Sequence, residues 1–144
     1  MNLMITGAMG HIGTYIIKNI TKIKKFKKII LVDNFSNNKH NFLYNFKYKK
    51  KFLFYYRDIT KKNSLNNLPK IDYCLHLASI TNAEESVNIK DKLYKNNLGC
   101  FDNVINYCKK NKIKLIHLSS TSVYGVSSEL VDENSILKPQ SPYA

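Results

Sequence analysis

Short apolar runs alternate along the chain with longer stretches in which apolar residues recur every three or four positions. The runs "NLMITGA" (2–8), "KIILVDN" (28–34), "KFLFYYRDI" (51–59), "IDYCLHLAS" (71–79) and "IKLIHLSST" (113–121) predict five strands. Most are continuously apolar, as expected of strands covered on both faces. The stretches between them predict a helix from His11 to Ile23, another from Asn41 to Tyr48, a turn of helix after Thr60, and a long helix from Ser86 to Lys110. Strands that alternate with helices predict an α/β fold, a doubly wound parallel sheet in a single domain over 1–144. In the long helix, Leu93, Phe101, Ile105 and Cys108 form the apolar row, and Asn97 is its one polar member. A buried amide requires hydrogen-bond partners, so Asn97 either clamps a loop or stands near a ligand.

Composition narrows the class. The 144 residues are 44% hydrophobic and 12% aromatic, enough for one real core and unlike a disordered chain. No apolar run approaches the length of a bilayer span, and the N-terminus enters a strand at once without the pattern of a signal peptide; a cytoplasmic chain with no membrane partner is expected. Cys74, Cys100 and Cys108 are odd in number, lie in apolar segments, and have neither a CxxC pair nor a histidine at ligand spacing. They are expected to be buried reduced thiols, with no metal site. The net charge of +13 would suit a polyanion. Arg57 is the only arginine, however, and Lys, Asn and Ile abound together as AT-rich coding would produce. A surface that reads phosphate and guanine would use the planar arginine fork, so no nucleic-acid partner is expected.

The candidate chemistry begins where the first strand runs into "TGAMGHIG" (Thr6 to Gly13), a GxxGxxG loop that opens a helix. Gly7 permits the tight turn, Gly10 lets a pyrophosphate reach the backbone, and Gly13 lets helix and strand pack closely. Three of the five glycines in the chain stand here. With a strand before and a helix after, the loop predicts dinucleotide binding. Asp33, at the end of the second strand, is placed to accept hydrogen bonds from the adenosine ribose hydroxyls and to repel a 2′-phosphate, which selects NAD over NADP.

These residues, together with "RDI" (57–59), "HLAS" (76–79), "NNLGCFDNV" (96–104), "LSSTSVYG" (118–125) and "PQSPYA" (139–144), appear in an ordered series along the chain. The series resembles the N-terminal part of an extended short-chain dehydrogenase/reductase, the NAD-dependent nucleotide-sugar epimerase/dehydratase family with its Rossmann-type fold. The resemblance implies that His11 and Ile12 lie over the pyrophosphate, and that Asp33 and Asn34 hold the adenosine ribose. Asp58 and Ile59 are implied to contact the adenine. Leu77, Ala78 and Ser79 would line the path to the nicotinamide ribose, and Asn97 would be the inward polar residue of the long helix. Family members usually have glycine where this chain has Arg57. His76 and His117 are expected to be structural, because neither has an identifiable carboxylate partner.

In the family, the residue four before the Tyr of "VYG" is the catalytic Ser or Thr; here it is Ser120, whose hydroxyl would hydrogen-bond a substrate oxygen. The following positions carry acids in the 4,6-dehydratases, and decarboxylases keep a Glu there. This chain has Thr121 and Ser122. Neither serves as a general acid near neutral pH, so an epimerase or a ketoreductase is expected over a dehydratase. Tyr143 resembles the catalytic base of the YxxxK motif, and a phenol acting near neutral pH needs a nearby cation. The family lysine would come four residues later, and the sequence reaches only Ala144. The resemblance therefore implies an incomplete cofactor-binding domain without its substrate domain, inactive by itself, from a parent that takes a nucleotide sugar and commonly forms a homodimer. A non-catalytic NAD(P)-binding or sensing module is the alternative; a sensor has no need of Ser120 and Tyr143.

Overall fold

The computed structural model describes residues 1–20, 22–36, 50–128 and 130–144. It contains five strands: β1 (Asn2–Thr6), β2 (Lys28–Asp33), β3 (Phe52–Tyr56), β4 (Tyr73–His76) and β5 (Lys114–His117). Two helices accompany them, α1 (His11–Ile20) and α2 (Lys90–Lys110), with 3₁₀ turns at Glu85–Val87 and Thr121–Tyr124. All strand pairs are parallel, in the order β3-β2-β1-β4-β5. The expected doubly wound five-stranded sheet is present. The expected helix from Asn41 to Tyr48 lies outside the described residues.

The pleat explains why the strands read as continuous apolar runs. Alternate side chains face opposite sides of a sheet. Leu3, Ile5, Ile29, Leu31 and Phe52 join Ile17 and Ile20 of α1 in one core layer. Met4, Ile30, Val32 and Cys74 join Cys100, Val104 and Cys108 of α2 in the other. Both faces of the central strands are thus buried.

Every strand is shorter than expected, chiefly at its C-terminal end. The ladder stops at Thr6, Asp33, Tyr56, His76 and His117, although apolar residues such as Ile59 and Leu77 continue beyond it. Those residues are apolar because they line the end of the sheet, and they take no part in strand pairing. The long helix also differs: a 3₁₀ turn at Glu85–Val87 precedes it, and α2 proper begins at Lys90 after Ile89 leaves helical geometry (φ −119°, ψ 27°). Its buried row is Leu93, Cys100, Val104 and Cys108, while Phe101 and Ile105 are half-buried at its margin. Leu93 and Cys108 are buried as expected, and Cys100 and Val104 take the places expected of Phe101 and Ile105.

The cysteines are free and buried. A hydrogen bond with Cys108, and then burial, push the Cys74 thiol well above its ordinary range, so it stays protonated. Across the C-terminal ends of three strands runs a polar row, Thr6, His76 and His117, which pair in register. His76 is 2% exposed, and its Nδ1 shares a hydrogen bond with Thr6 Oγ1 at 2.6 Å. Its ring stacks on His117 with centroids 5.2 Å apart, and Phe101 of α2 covers both rings. Among the described residues the histidine therefore lies in the core without a carboxylate partner, held by a hydroxyl.

Burial, and then the neighbouring His117, pull the His76 imidazole from 6.5 down to about 4. The folded state thus binds this proton less readily than the unfolded state, so stability is intact above pH 6.5 and falls as pH drops toward about 4. The loss attributable to His76 is on the order of 3 kcal/mol at most. Urea denaturation across this range should show a shallower pH slope for His76→Gln than for the parent chain; parallel slopes would exclude the imidazole as the cause.

Candidate functional site

Strand β1 is connected to β2 on one side through α1, and it pairs with β4 on the other. Loops leaving β1 and β4 therefore diverge to opposite faces, and the crevice between them is where open α/β sheets place ligands. A cleft of about 290 Å³ lies there, and Gly7, Gly10, Asp33, Asn34, Ile59, Leu77, Ala78 and Ser79 are among the residues that line it.

The glycine loop has its shape for steric reasons. Gly7 adopts φ 65°, and a Cβ on it would stand 2.7 Å from the Ala78 nitrogen. A Cβ on Gly13 would stand 2.5 Å from the Ala8 carbonyl oxygen. Neither position accepts a side chain without moving backbone. Gly10 meets only the Gly7 oxygen, at 3.1 Å, so its outer side is open to the cleft. The amides of His11 and Ile12 head α1, where an α-helix has no internal acceptor for its N–H groups and carries partial positive charge. His11 and Ile12 side chains are exposed and Gly13 is buried. This cradle of open amides, closed on its other side by a packed strand loop, fits a pyrophosphate.

Asp33 braces the cradle. Its Oδ2 accepts from the Met9 N–H at 2.8 Å and its Oδ1 from the Phe35 N–H at 2.7 Å. Each oxygen keeps a further lone pair for an incoming hydroxyl. Asn34 Oδ1 accepts from the Ser36 N–H at 3.0 Å. Asp58 Oδ1 accepts from both the N–H and the hydroxyl of Thr60, at 3.0 and 2.7 Å. Its side chain faces an adjoining cleft, while Ile59 lines the first. Burial, and then the Asp58 carboxylate, push the Cys100 thiol up to about 12. Cys100 is thus an inert wall of the cleft.

Asn97 serves as a clamp. Its Oδ1 accepts from the Ile80 N–H at 2.8 Å and its Nδ2 donates to the Ile80 carbonyl at 3.0 Å, fixing the loop after β4. Asn103, two turns further along α2, was not singled out by the sequence pattern. Its Nδ2 donates to the carbonyls of Ile59 and Thr60 at 2.9 and 3.0 Å, fixing the loop after β3. The one sequence signal was a small amide beside the buried Val104.

Ser120 and Tyr143 are not among the residues that line this cleft. Ser120 caps the 3₁₀ turn after β5, its Oγ accepting from the Ser122 N–H at 3.1 Å. Tyr143 is half-buried in the C-terminal segment, next to an Ala144 N–H that donates to Ser141 Oγ at 3.2 Å. Among the described residues, no cluster of three or more His, Cys, Asp or Glu could hold a metal ion, and no helix is long and apolar enough to cross a membrane.

The family model for the NAD dependent epimerase/dehydratase family matches residues 3–144. A dTDP-D-glucose 4,6-dehydratase of Dictyostelium discoideum is 32% identical over 99% of this chain and 37% of its own length. An uncharacterized UDP-glucose epimerase of Bacillus subtilis is 29% identical over 99% of this chain and 47% of its own. The crystal structure of UDP-glucuronic acid 4-epimerase from Bacillus cereus, in complex with UDP-glucuronic acid and NAD, superposes with a TM-score of 0.88 at 29% identity. That superposition covers 99% of this chain and 48% of the epimerase. The chain thus spans less than half the length of these relatives.

Removing the Asn97 amide should cost about 1–3 kcal/mol, the usual consequence of leaving a half-buried backbone pair unsatisfied. Asn97→Ala should also speed hydrogen exchange of the Ile80 amide, whereas Asn103→Ala, which frees only carbonyls, should leave amide exchange at residues 59 and 60 little changed. Equal protection of Ile80 in the parent and Asn97→Ala would remove the clamp assignment.

Proposed function

This chain belongs to the NAD dependent epimerase/dehydratase family, and on that premise we propose that it is the cofactor-binding part of an NAD-dependent nucleotide-sugar epimerase. The observation that carries the reading is the meeting of the Gly7–Gly10 turn, the head of α1 and the Asp33 carboxylate at one cleft. His11 and Ile12 would hold the pyrophosphate on backbone N–H groups, and Gly10, whose own N–H is bound by the Gly7 carbonyl, would let it approach the backbone. Asp33 and Asn34 would hold the adenosine ribose, Asp58 and Ile59 the adenine, and Leu77, Ala78 and Ser79 the nicotinamide ribose. Asn97 would contribute by fixing the Ile80 loop that borders this path. Bound NAD would supply a reversible hydride acceptor for a sugar carbon.

The residues of this chain would supply the proton chemistry and the orientation. Tyr143 would take the proton of the substrate hydroxyl and return it to the same oxygen, and Ser120 would hydrogen-bond that oxygen throughout. Thr121 and Ser122 offer no carboxylic acid to expel a water from the sugar, which favours epimerisation over dehydration. The three free, buried cysteines support a reducing compartment, the cytoplasm. A homodimeric parent completes the proposal.

Isothermal titration should show that the chain binds NAD more tightly than NADP, and that Asp33→Ala weakens NAD at least tenfold by losing both the ribose contact and the brace on Met9; tighter NADP binding would refute the role given to Asp33. In the full-length protein, Tyr143→Phe and Ser120→Ala should each lower kcat by about a hundredfold or more while KM changes little. A loss expressed mainly in KM would assign them to binding.

A further inference from the structure

All five strands start at the end of the sheet opposite the dinucleotide cleft, and lysine gathers there. The Ile29 N–H donates to the Lys51 carbonyl at 2.8 Å, the Lys27 N–H to the Met1 carbonyl at 2.8 Å, and Asn2 Nδ2 to the Lys70 carbonyl at 2.6 Å. Asn2 pairs with Lys28, and Tyr73 with Lys114. These bonds set Lys51, Lys27, Lys28, Lys70 and Lys114 in one row from β3 to β5. All but the half-buried Lys51 are exposed. The turn before β2 adds the exposed Lys22, Lys24 and Lys25, and the last turn of α2 adds Lys109 and Lys110. Asp72 is the acidic residue of the row, and its Oδ2 already accepts from the Asn2 N–H at 2.7 Å. At the cleft end, by contrast, Arg57, Lys61 and Lys92 are interspersed with Asp33, Asp58, Glu85 and Asp91. Coding bias accounts for the number of lysines and leaves this one-sided placement unexplained.

Apolar side chains stand among these cations. Ile23, between Lys22 and Lys24, is 48% exposed, and Met1 is 37% exposed. Phe26 meets the Tyr73 ring edge-on, and Lys114 Nζ lies 5.7 Å from that ring's centroid, so its stem runs along an aromatic surface. Strands about 4.8 Å apart make the row roughly 20 Å long. Lysine heads above aliphatic stems attract anionic lipid headgroups, and an exposed aliphatic side chain enters the boundary with the acyl chains. A nucleic-acid surface would use arginine forks and aromatic faces open for stacking, and Ile23 would have no role in it. We propose that the basic end of the sheet is a docking surface for an anionic lipid bilayer, on which the protein rests with its cleft turned to solution. The expectation of no membrane partner followed from the lack of a spanning segment, and a surface contact needs none.

Cosedimentation with vesicles tests this. The protein should bind phosphatidylcholine vesicles that contain roughly a third phosphatidylserine, should ignore pure phosphatidylcholine, and should dissociate as salt rises. Lys24→Gln/Lys25→Gln/Lys28→Gln should weaken binding about tenfold or more. Lys61→Gln/Lys62→Gln/Lys95→Gln removes the same charge from exposed positions away from the row and should change binding little. Ile23→Ser should weaken vesicle binding with the net charge unchanged. Equal losses in the two triple variants would reduce the effect to net charge and overturn the docking surface, as would failure to bind the anionic vesicles at low salt. Tighter binding to a single-stranded RNA than to vesicles, dependent on the same lysines and indifferent to Ile23→Ser, would assign the surface to nucleic acid instead and refute the proposal.

Discussion

The backbone of Gly7 lies so close to that of Leu77 and Ala78 that no side chain fits between them. That close approach brings the loop after β1 against the loop after β4, and the rest of the site is arranged around it. Because the turn at Gly7 is tight, α1 begins only four residues later, and Gly13 packs against the Ala8 carbonyl. From the other side Asp33 pulls on Met9. A loop of small residues, which would otherwise be among the most mobile parts of a chain, is thereby gripped between two strands and a carboxylate. Amides fixed in this way present donors to an anion without losing conformational entropy on binding.

Helix α2 extends the same logic to the neighbouring loops. Its apolar row anchors it to the sheet, and two asparagines near that row are turned to the backbone of the loops after β4 and β3. An amide can satisfy a carbonyl and an N–H at once, which a hydrophobic side chain cannot. Substituting more leucine would bury more area but leave Ile80 and Ile59 without their partners. The cleft is thus shaped by polar groups placed at the margin of a hydrophobic interface. The Thr6–His76 pair does similar work at the centre of the sheet, joining β1 to β4 through side chains just where their ladder ends.

The sheet, its strand count and the meeting of several of the expected residues at one cleft were legible in the sequence, because continuous apolar runs and the glycine spacing report directly on burial and backbone geometry. Strand ends were not legible: Ile59 and Leu77 are as apolar as ladder residues, and only the hydrogen-bond register separates a paired strand from a cleft wall. The helix row was displaced from Cys100 and Val104 to Phe101 and Ile105 because larger side chains look more buried than cysteine and valine. Asn103 read as one more polar residue of a lysine-rich helix. Asp33 was expected to face a ligand, and its two backbone bonds depend on loops brought together from residues 9 and 35, a conjunction that one-dimensional spacing does not encode.

Burial is graded across the sheet, and the gradient separates the glycine turn from Ser120. β1 is buried along nearly its whole length, β4 alternates, and β5 is largely exposed, with Ile116 at 52%. The loops after β1, β3 and β4 hang from the sheet and are cross-braced by long-range hydrogen bonds to Asp33, Asn103 and Asn97. Ser120 follows the exposed strand, and its recorded side-chain bond is to a residue two positions away. Catalysis depends on reacting groups held within fractions of an ångström. The core that fixes the glycine turn therefore does not by itself fix the Ser120 hydroxyl, so the cofactor contacts and the catalytic alignment proposed above would rest on separate sets of contacts.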